Sequence, residues 1–517
     1  MNEKVFKKYL RDLVKSRLIT AKDLHDTKRR LAKKHGTAII SNAVILSKYR
    51  QFYKGRLNSD LIRLLRKRAI RTLSGVAPVT VLTKPYPCPG RCVYCPAPEG
   101  MPKSYIASEP AAQRAFRLKF DPYQQVSKRI MVLEKNGHNV EKIELIVLGG
   151  TWSFYPKKYR EWFIKRCFDG ANGKKSASLA QAQKINEKAR HRIIGLSLET
   201  RPDHVTYEEL WHMRSLGCTH VQIGVQSVHQ PVLDLVKRDD TLVNMERATA
   251  LLRDFGFKIT YHIMPGLPGS TPAKDLTVFK KIFTNSQWQP DMLKIYPCVV
   301  VKNSLLYRWY KQGKYKPYSD KVLNSLLVKI KKIIPAYVRI NRLIRDIPGP
   351  DIVAGNRITN LRQYLHQQGV MCKCIRCREV REEKVKIKDL KLVQRKYKAG
   401  QGTEHFISYE SKDKKKLYAF VRLRLLEKRL KLAENKPFNP DTALIRELHT
   451  YGELIPVGKK GKAVQHIGLG KRLMKQVEKI AKQKGYKEIV VIAGVGVREY
   501  YRRLGYKLSE TYMIKKL

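Results

Sequence analysis

Three cysteines spaced Cys88-x3-Cys92-x2-Cys95 follow directly on the apolar run Val79-Thr80-Val81-Leu82-Thr83. A cubane of four irons held by only three thiolates keeps one iron open, and that iron can chelate the amino and carboxylate groups of S-adenosylmethionine. The spacing therefore points to a 4Fe-4S cluster and radical chemistry. Zinc on the same three thiolates is the other reading; it ordinarily takes a fourth ligand close by, and the next histidine is His138. A second cluster, Cys372-x-Cys374-x2-Cys377, offers three more thiolates. Cys298 is the candidate fourth ligand of a four-sulfur zinc site there, which would tie the surrounding segment to the preceding domain. Structural zinc is favoured at this place over a second iron–sulfur cluster, and a buried apolar cysteine is the plain alternative for Cys298.

A different chemistry is written near the C-terminus. Gln465-His466-Ile467-Gly468-Leu469-Gly470 leads into a helical pattern with Leu473, Val477, Ile480 and Ala481 on one face. Glycines and free helix amides then converge on one point, and with the helix dipole they suit a pyrophosphate. An apolar strand, Ile489–Ala493, and the pair Tyr500-Tyr501 follow.

These groups need elements to position them. From about 76 to 300 the chain alternates short β-rich runs with amphipathic helical stretches, the runs being Pro78–Thr83, Ile143–Gly149, Ile193–Leu198, Thr219–Val225, Ile259–Met264 and Met292–Tyr296. Six such units predict an α/β fold, a partial parallel (β/α)6 barrel, with reactive groups at the C-terminal ends of its strands. The cysteine triad then lies on the rim after the first run, and Gly149, Gly150 and Thr151 after the second. Glu199 and Arg201, Gln222 and Gln226, and His262 end or occupy the next three runs, where polar side chains face a barrel mouth; each could equally be a structural hydrogen-bonding residue. Segment 169–190 reads as a flexible insertion. Residues 301–385 read as a basic linker carrying the second cysteine cluster, and 386–517 as an independent α+β domain.

Charge bounds the partner. The 517 residues carry 105 Lys+Arg against 44 Asp+Glu, a formal net charge of +61. That excess points to a polyanion, with nucleic acid foremost; a lysine-rich thermophile surface would carry matching Glu, which is missing. Residues 1–75 hold 21 Lys+Arg against 5 Asp+Glu in a helical pattern and read as a basic RNA-binding region, with Arg29, Arg30, Lys33, Lys34, Arg63, Arg66, Lys67, Arg68 and Arg71 as phosphate contacts. A solvated helix pair packed on the next domain is the alternative. Nine cysteines, six of them in two tight clusters, suggest a reducing compartment and metal. No run approaches the roughly 18 apolar residues that would span a bilayer, so the expectation is a cytoplasmic protein without membrane partners.

With these residues in view, a family resemblance is specific. Lys84-Pro-Tyr-Pro-Cys-Pro-Gly-Arg-Cys-Val-Tyr-Cys-Pro, Leu198-Glu-Thr-Arg-Pro-Asp and Met264-Pro-Gly-Leu-Pro-Gly resemble the radical S-adenosylmethionine domain of the catalytic subunit of Elongator, in its single-protein archaeal or bacterial form. Ile445-Arg-Glu-Leu-His-Thr-Tyr-Gly and Gly494-Val-Gly-Val-Arg-Glu-Tyr-Tyr-Arg-Arg-Leu-Gly-Tyr resemble its acetyltransferase domain, and Q-x-x-G-x-G before a helix is similar to the coenzyme A element of GCN5-related acetyltransferases. The resemblance spans nearly the whole chain. It implies cofactor contacts at Lys84, Gly149, Gly150, Thr151, Glu199, Arg201 and Gln226 in the first domain. In the last it implies acetyl-coenzyme A contacts at Glu447, Leu448, His449, Gln465, Ile467, Gly468, Leu469, Gly470 and Lys471. Tyr501 would protonate the departing thiolate, with Tyr500 able to substitute.

The implied activity is carboxymethylation at C5 of the wobble uridine in the anticodon stem-loop of tRNA, using acetyl-coenzyme A, S-adenosylmethionine and an external electron donor. A protein lysine acetyltransferase with a structural iron–sulfur domain is one rival. A radical RNA methylthiolase or methyltransferase is another, although it has no use for Gln465–Gly470.

Overall fold

The computed structural model describes residues 2–53, 58–67, 72, 74–380, 385–427, 437–451 and 468–517. Six strands form where the apolar runs lie: β1 (Ala77–Leu82), β2 (Lys142–Leu148), β3 (Arg192–Thr200), β4 (His220–Gln226), β5 (Lys258–Ile263) and β6 (Met292–Ile295). Pairing is parallel throughout in the order β1-β2-β3-β4-β5-β6, as right-handed helical crossovers require. Three of the helices between them start on Thr caps, with Thr206, Thr241 and Thr271 each accepting the backbone N–H three residues on.

The partial barrel is therefore present, and it is wider than its six runs. After a two-strand ribbon begins at β7 (Val300–Val301), β8 (Arg339–Arg342) joins β6 in parallel as a seventh strand, and β9 (Ile352–Ala354) completes the ribbon. Arg339-Ile-Asn-Arg is polar because three of its four side chains are not fully buried, so it lacks an apolar signal. Segment 169–190 is likewise not the expected flexible insertion. Helix Lys157–Asn172 runs into it, and helix Leu179–Asn186, capped by Ser178, buries Ala182 and Asn186.

Helices Glu3–Lys15, Ala21–Lys34, Asn42–Phe52 and Ser59–Leu65 make a small domain with its own core of Phe6, Tyr9, Leu13, Leu31, Ile45 and Tyr49. Arg50 and Arg66 fix it to the barrel by donating to the carbonyls of Glu134 (2.8 Å) and Gly137 (3.0 Å). Arg68 and Arg71, expected among the phosphate contacts, lie outside the described residues.

A second seven-stranded sheet follows, built from β10 (Leu390–Lys398), β11 (Gly402–Ser411), β12 (Leu417–Leu426), β13 (Thr442–Thr450), β14 (Glu488–Val491), β15 (Lys507–Ser509) and β16 (Tyr512–Lys516). Its order is β10-β11-β12-β13-β14-β16-β15, and β13–β14 is the one parallel pair among the described strands of this sheet. Helix Leu469–Gln483 packs its Leu473, Met474, Val477 and Ala481 face on this sheet.

The second sheet docks on the N-terminal ends of the barrel strands. Gly494 and Gly496 approach the start of β3 so closely that a Cβ at either would stand 2.0 Å from the Ile194 carbonyl oxygen or 2.6 Å from Arg192 Cβ. Arg446, the extra residue of a bulge in β13, donates to Asp291 and to the Phe257 carbonyl; Arg422 donates to Glu447 and to the Tyr337 carbonyl; Arg424 donates to Asp254. Burial by itself would push the Asp291 carboxyl up, but Arg446 and Arg422 outweigh it and hold it well below the usual carboxylate range. A depressed carboxylate stabilises the fold above its unfolded pKa of about 4 and loses that contribution as pH falls below it. Asp291→Asn should accordingly lower stability at neutral pH by about 3 kcal/mol, since it takes the shared carboxylate from two buried guanidiniums and leaves them only Glu447 and Glu404. Thermal unfolding monitored at pH 7 and in the acid range checks this, and the deficit should shrink as the wild-type carboxyl protonates.

Candidate active site

The cysteine loop leaves β1 and returns over the barrel mouth. Cys92 Sγ lies 3.8 Å from Arg238 Nη1, and Arg238 is itself anchored by donating to the Gly224 carbonyl (2.6 Å). Cys95 and Arg238 hold the Cys92 thiol well below its ordinary value against the opposing effect of burial, which favours the thiolate that iron requires. Cys88 Sγ stands 3.8 Å from Thr151 Oγ1, so the loops after β1 and β2 meet at the triad. Gly149 (φ +145°) and Gly150 (φ +92°) make that possible: a Cβ on Gly149 would sit 1.8 Å from Thr83 Oγ1.

The other rim residues divide by their partners. Glu199 accepts from the Tyr105 hydroxyl (3.0 Å) and lies 3.6 Å from His262 Nδ1. His262 Nε2 is 3.1 Å from Gln222 Oε1, and burial together with Lys294 and Arg345 drives its pKa far down, so the ring is neutral. Gln226 has a left-handed backbone (φ +67°) and a buried Oε1 with no protein partner, which suits a bound polar ligand. Arg201 is fully committed to Asp203 (2.8 Å) and to the carbonyls of Arg238 and Asp239, and its guanidinium packs beneath Gly90. It braces the cysteine loop. Lys84, expected among the cofactor contacts, turns outward instead: its ammonium stands 5.1 Å over the Tyr159 ring, and it does not line the cavity. The loop pins it there, because the Lys84 amide donates to the Tyr159 hydroxyl.

In the second sheet, β13 pairs with β14 only from Thr442 to Ile445, so Glu447, Leu448 and His449 continue past the end of that pairing. The opened notch faces the start of helix Leu469–Gln483, whose cap Gly468 is left-handed (φ +77°). The amides of Leu469, Gly470 and Lys471 precede Arg472, the first to donate within the helix (to the Gly468 carbonyl), and a Cβ on Gly470 would lie 3.0 Å from the Tyr500 hydroxyl. Leu469 contributes only backbone, its side chain being in the core. Tyr500 thus stands at the helix start, whereas Tyr501 is buried against Tyr500 and Tyr506. Gln465 and Ile467 lie outside the described residues. His449 stacks on Phe420 and meets Tyr451 at a tilt, and burial brings its pKa to about 4.

A single cavity of about 1350 Å³ joins the two places. At one end it is lined by Cys88, Cys92 and Cys95, and at the other by Gly468, Gly470, Tyr500 and Tyr501. Between them run alternate residues of the barrel strands, including Glu144, Ser197, Gln222, Lys258, Lys294 and Arg339. Period-two alternation identifies these as the inward face, so the lumen is polar and open over the height of the barrel. Sequence reasoning missed Tyr105, Lys258, Lys294, Arg339 and Arg345, which no short motif marks; the alternation of polar residues within apolar strands was the available signal.

The second cysteine cluster lies apart from this cavity. The sulfurs of Cys372, Cys374 and Cys377 fall within 4.8 Å of one another, and His366 Nε2 is 3.5 Å from Cys377 Sγ. The three sulfurs form a donor set that fits zinc, with His366 beside one of them. Cys298 is not part of it. It is buried in an apolar cluster with Val93 and Leu306 beside the Tyr315 hydroxyl, and burial raises its thiol to about 12. Elemental analysis should find zinc in the purified chain, and Cys374→Ser should lose it with a lower unfolding midpoint, while Cys298→Ala should retain it.

Comparisons with known proteins agree with this division. The radical SAM superfamily matches residues 86–280, the radical SAM C-terminal domain residues 290–369, and the acetyltransferase (GNAT) domain residues 461–516. A tRNA uridine(34) acetyltransferase of Methanocaldococcus jannaschii is 44% identical over 88% of this chain and 87% of its own length. Human Elongator complex protein 3 is 36% identical over 96% of this chain and 93% of its own. The solved archaeal Elp3 of Methanocaldococcus infernus, with its N-terminus deleted, superposes with a TM-score of 0.74 at 41% identity, covering 86% of this chain and 99% of that one. The chain therefore belongs to the family of tRNA uridine(34) acetyltransferases and Elongator complex protein 3, with a radical SAM and a GNAT domain in one polypeptide.

Proposed function

We propose that this protein modifies the wobble uridine of tRNA anticodons, attaching at C5 a carboxymethyl group drawn from acetyl-coenzyme A. The observation that carries the reading is the shared cavity, which opens both to the cysteine triad and to the glycine-rich helix start of the acetyltransferase domain. When bound, the cluster and S-adenosylmethionine supply a radical able to take hydrogen from a carbon as unreactive as the acetyl methyl.

The chain's own residues supply the rest. Cys88, Cys92 and Cys95 hold the cluster, with Arg238 and Thr151 orienting two of the sulfurs. Gln226, Glu199 and the Gly149-Gly150 turn line the place for S-adenosylmethionine. The free amides of Leu469, Gly470 and Lys471 bind pyrophosphate oxygens, and the strand edge beyond Ile445 receives the extended arm of coenzyme A. Tyr500 faces the thioester sulfur as a proton donor. The polar lumen lets the acetyl end of that arm approach the barrel mouth, where the uridine enters. A lysine acetyltransferase would want its notch open to an external protein chain, whereas here the notch opens into the barrel. Nine free cysteines are in keeping with a reducing cytoplasm, and no helix among the described residues is long and apolar enough to cross a membrane.

Anaerobic incubation of the reconstituted protein with reductant, both cosubstrates and tRNA should yield 5-carboxymethyluridine in the digested nucleosides. Absence of any added carboxymethyl mass would overturn the reading. Binding to tRNA should also weaken by roughly ten-fold or more between low and moderately high salt, because each neutralised phosphate releases counterions.

A further inference from the structure

A chain of aromatic rings runs outward from the cysteine loop along the rim. Phe154 lies 6.0 Å from Tyr86, Tyr86 stacks on Tyr155 at 4.9 Å, Tyr155 stacks on Tyr159 at 5.3 Å, and Tyr159 meets Trp162 at 5.7 Å, all between ring centroids. The inner members have structural work. The Tyr155 hydroxyl donates to the Lys84 carbonyl (2.8 Å) and the Tyr159 hydroxyl accepts from the Lys84 amide (3.1 Å), so the pair pins the segment that enters the triad. The two ends have no such role: Phe154 is 39% exposed and Trp162 45% exposed.

Cations border the ridge. Lys84, Lys157 and Lys158 are exposed beside it, and Lys84 stands over Tyr159. Two exposed carboxylates lie nearby: Glu161 faces His212 at 3.4 Å, and Glu208 is near enough to Lys157 to feel its charge. Exposed π faces interleaved with lysines fit unpaired nucleotides, whose bases stack and whose phosphates take the charge. Position selects among nucleic acids. Tyr86 is two residues before Cys88, and Phe154 is three after Thr151, which touches Cys88, so whatever lies on the ridge continues into the barrel mouth. A duplex hides its base faces and cannot use such a surface.

We propose that this ridge is a stacking platform for single-stranded RNA, holding the unpaired anticodon-loop nucleotides that flank the base entering the mouth. The inference rests on the tRNA reading above, and it assigns Phe154 and Trp162 as the outward stacking residues and Lys84, Lys157 and Lys158 as phosphate contacts.

The test compares the full reconstituted chain with Phe154→Leu, Trp162→Leu and the double variant, each titrated with an anticodon stem-loop RNA and with the same stem closed as a blunt duplex. Each single change should weaken the stem-loop by roughly ten-fold, on the order expected for one lost base–aromatic stack. Duplex affinity should stay within about two-fold, and Phe154→Tyr should bind as the wild type does. With the unmutated chain, 2-aminopurine placed in the loop should change its fluorescence on binding, which requires no variant. Leucine variants that hold the stem-loop as tightly as wild type would overturn the proposal and hand the ridge to a protein partner. Equal loss of both RNAs would overturn it as well. These affinities are read without turnover, so a failure to form carboxymethyluridine refutes the modification reading alone, and unchanged affinities with modification intact refute the ridge alone.

Discussion

Cys92→Ser should give a folded protein that neither holds a cluster nor cleaves S-adenosylmethionine above the no-enzyme background. Of the triad, Cys92 is the most embedded, with its sulfur beside Arg238 and its loop tied by the Val93 amide to the Val236 carbonyl (3.0 Å). A serine at this position keeps the volume but replaces a soft thiolate with a hydroxyl of far higher pKa, which iron does not retain. The expected readouts are loss of iron and of the brown absorbance together with loss of 5′-deoxyadenosine. Acetyl-coenzyme A binding should persist, because Gly468 and Gly470 sit at the start of the helix packed on the other sheet. Arg238→Gln grades the same argument: removing an outer partner of a metal-bound sulfur costs about 10–100-fold and leaves the ligands in place. Retained radical cleavage in Cys92→Ser would mean that the open-iron arrangement lies elsewhere.

Tyr500→Phe should slow acetyl-coenzyme A turnover by about 10²-fold, the lower end of what one positioned proton donor supplies. Tyr501→Phe should cost much less. The family pattern alone favoured Tyr501, but the Tyr500 hydroxyl is the one that lies at Gly470, and Tyr501 is buried in a cluster with Tyr506. Burial raises the Tyr500 hydroxyl to about 12, so it keeps its proton throughout the working range. Turnover should consequently show no fall assignable to this group below about pH 11. Rates measured by free thiol release, with binding of a non-hydrolysable analogue as control, separate proton donation from loss of affinity. A larger effect in Tyr501→Phe than in Tyr500→Phe would reverse the assignment.

The barrel strands were legible because short apolar, β-branched-rich runs stand out against amphipathic helices, and the triad because three thiolates at fixed spacing have few other uses. What stayed hidden was set by tertiary contact. Arg339-Ile-Asn-Arg carries no strand signature, since only Ile340 of its four side chains is fully buried and pairing with β6 holds it in place. Arg201 lines the cavity after β3 as its place in the sequence suggests, but its bonds to the carbonyls of Arg238 and Asp239, far along the chain, could not be read from it. Cys298 could be paired with the distant cluster on chemistry alone, while its apolar surroundings depend on how the 300s fold back beneath the cysteine loop. His366 was overlooked for the converse reason, being separated from Cys377 by a helix end that brings it close.

The seating of the second sheet on the strand N-termini bears on how such a protein can change over time. Arg422, Arg424 and Arg446 reach across the junction to Asp291, Asp254 and backbone carbonyls of the barrel. Either half expressed alone would lose the cross-junction partners of these groups on a surface shaped for a neighbour, and the barrel half would be uncovered at the N-terminal ends of its strands. The two catalytic units are thus inherited as a linked pair. A lineage can retune the substrate loops of one half or the helix start of the other, but exchanging a whole half for a foreign homologue requires re-matching the junction at the same step.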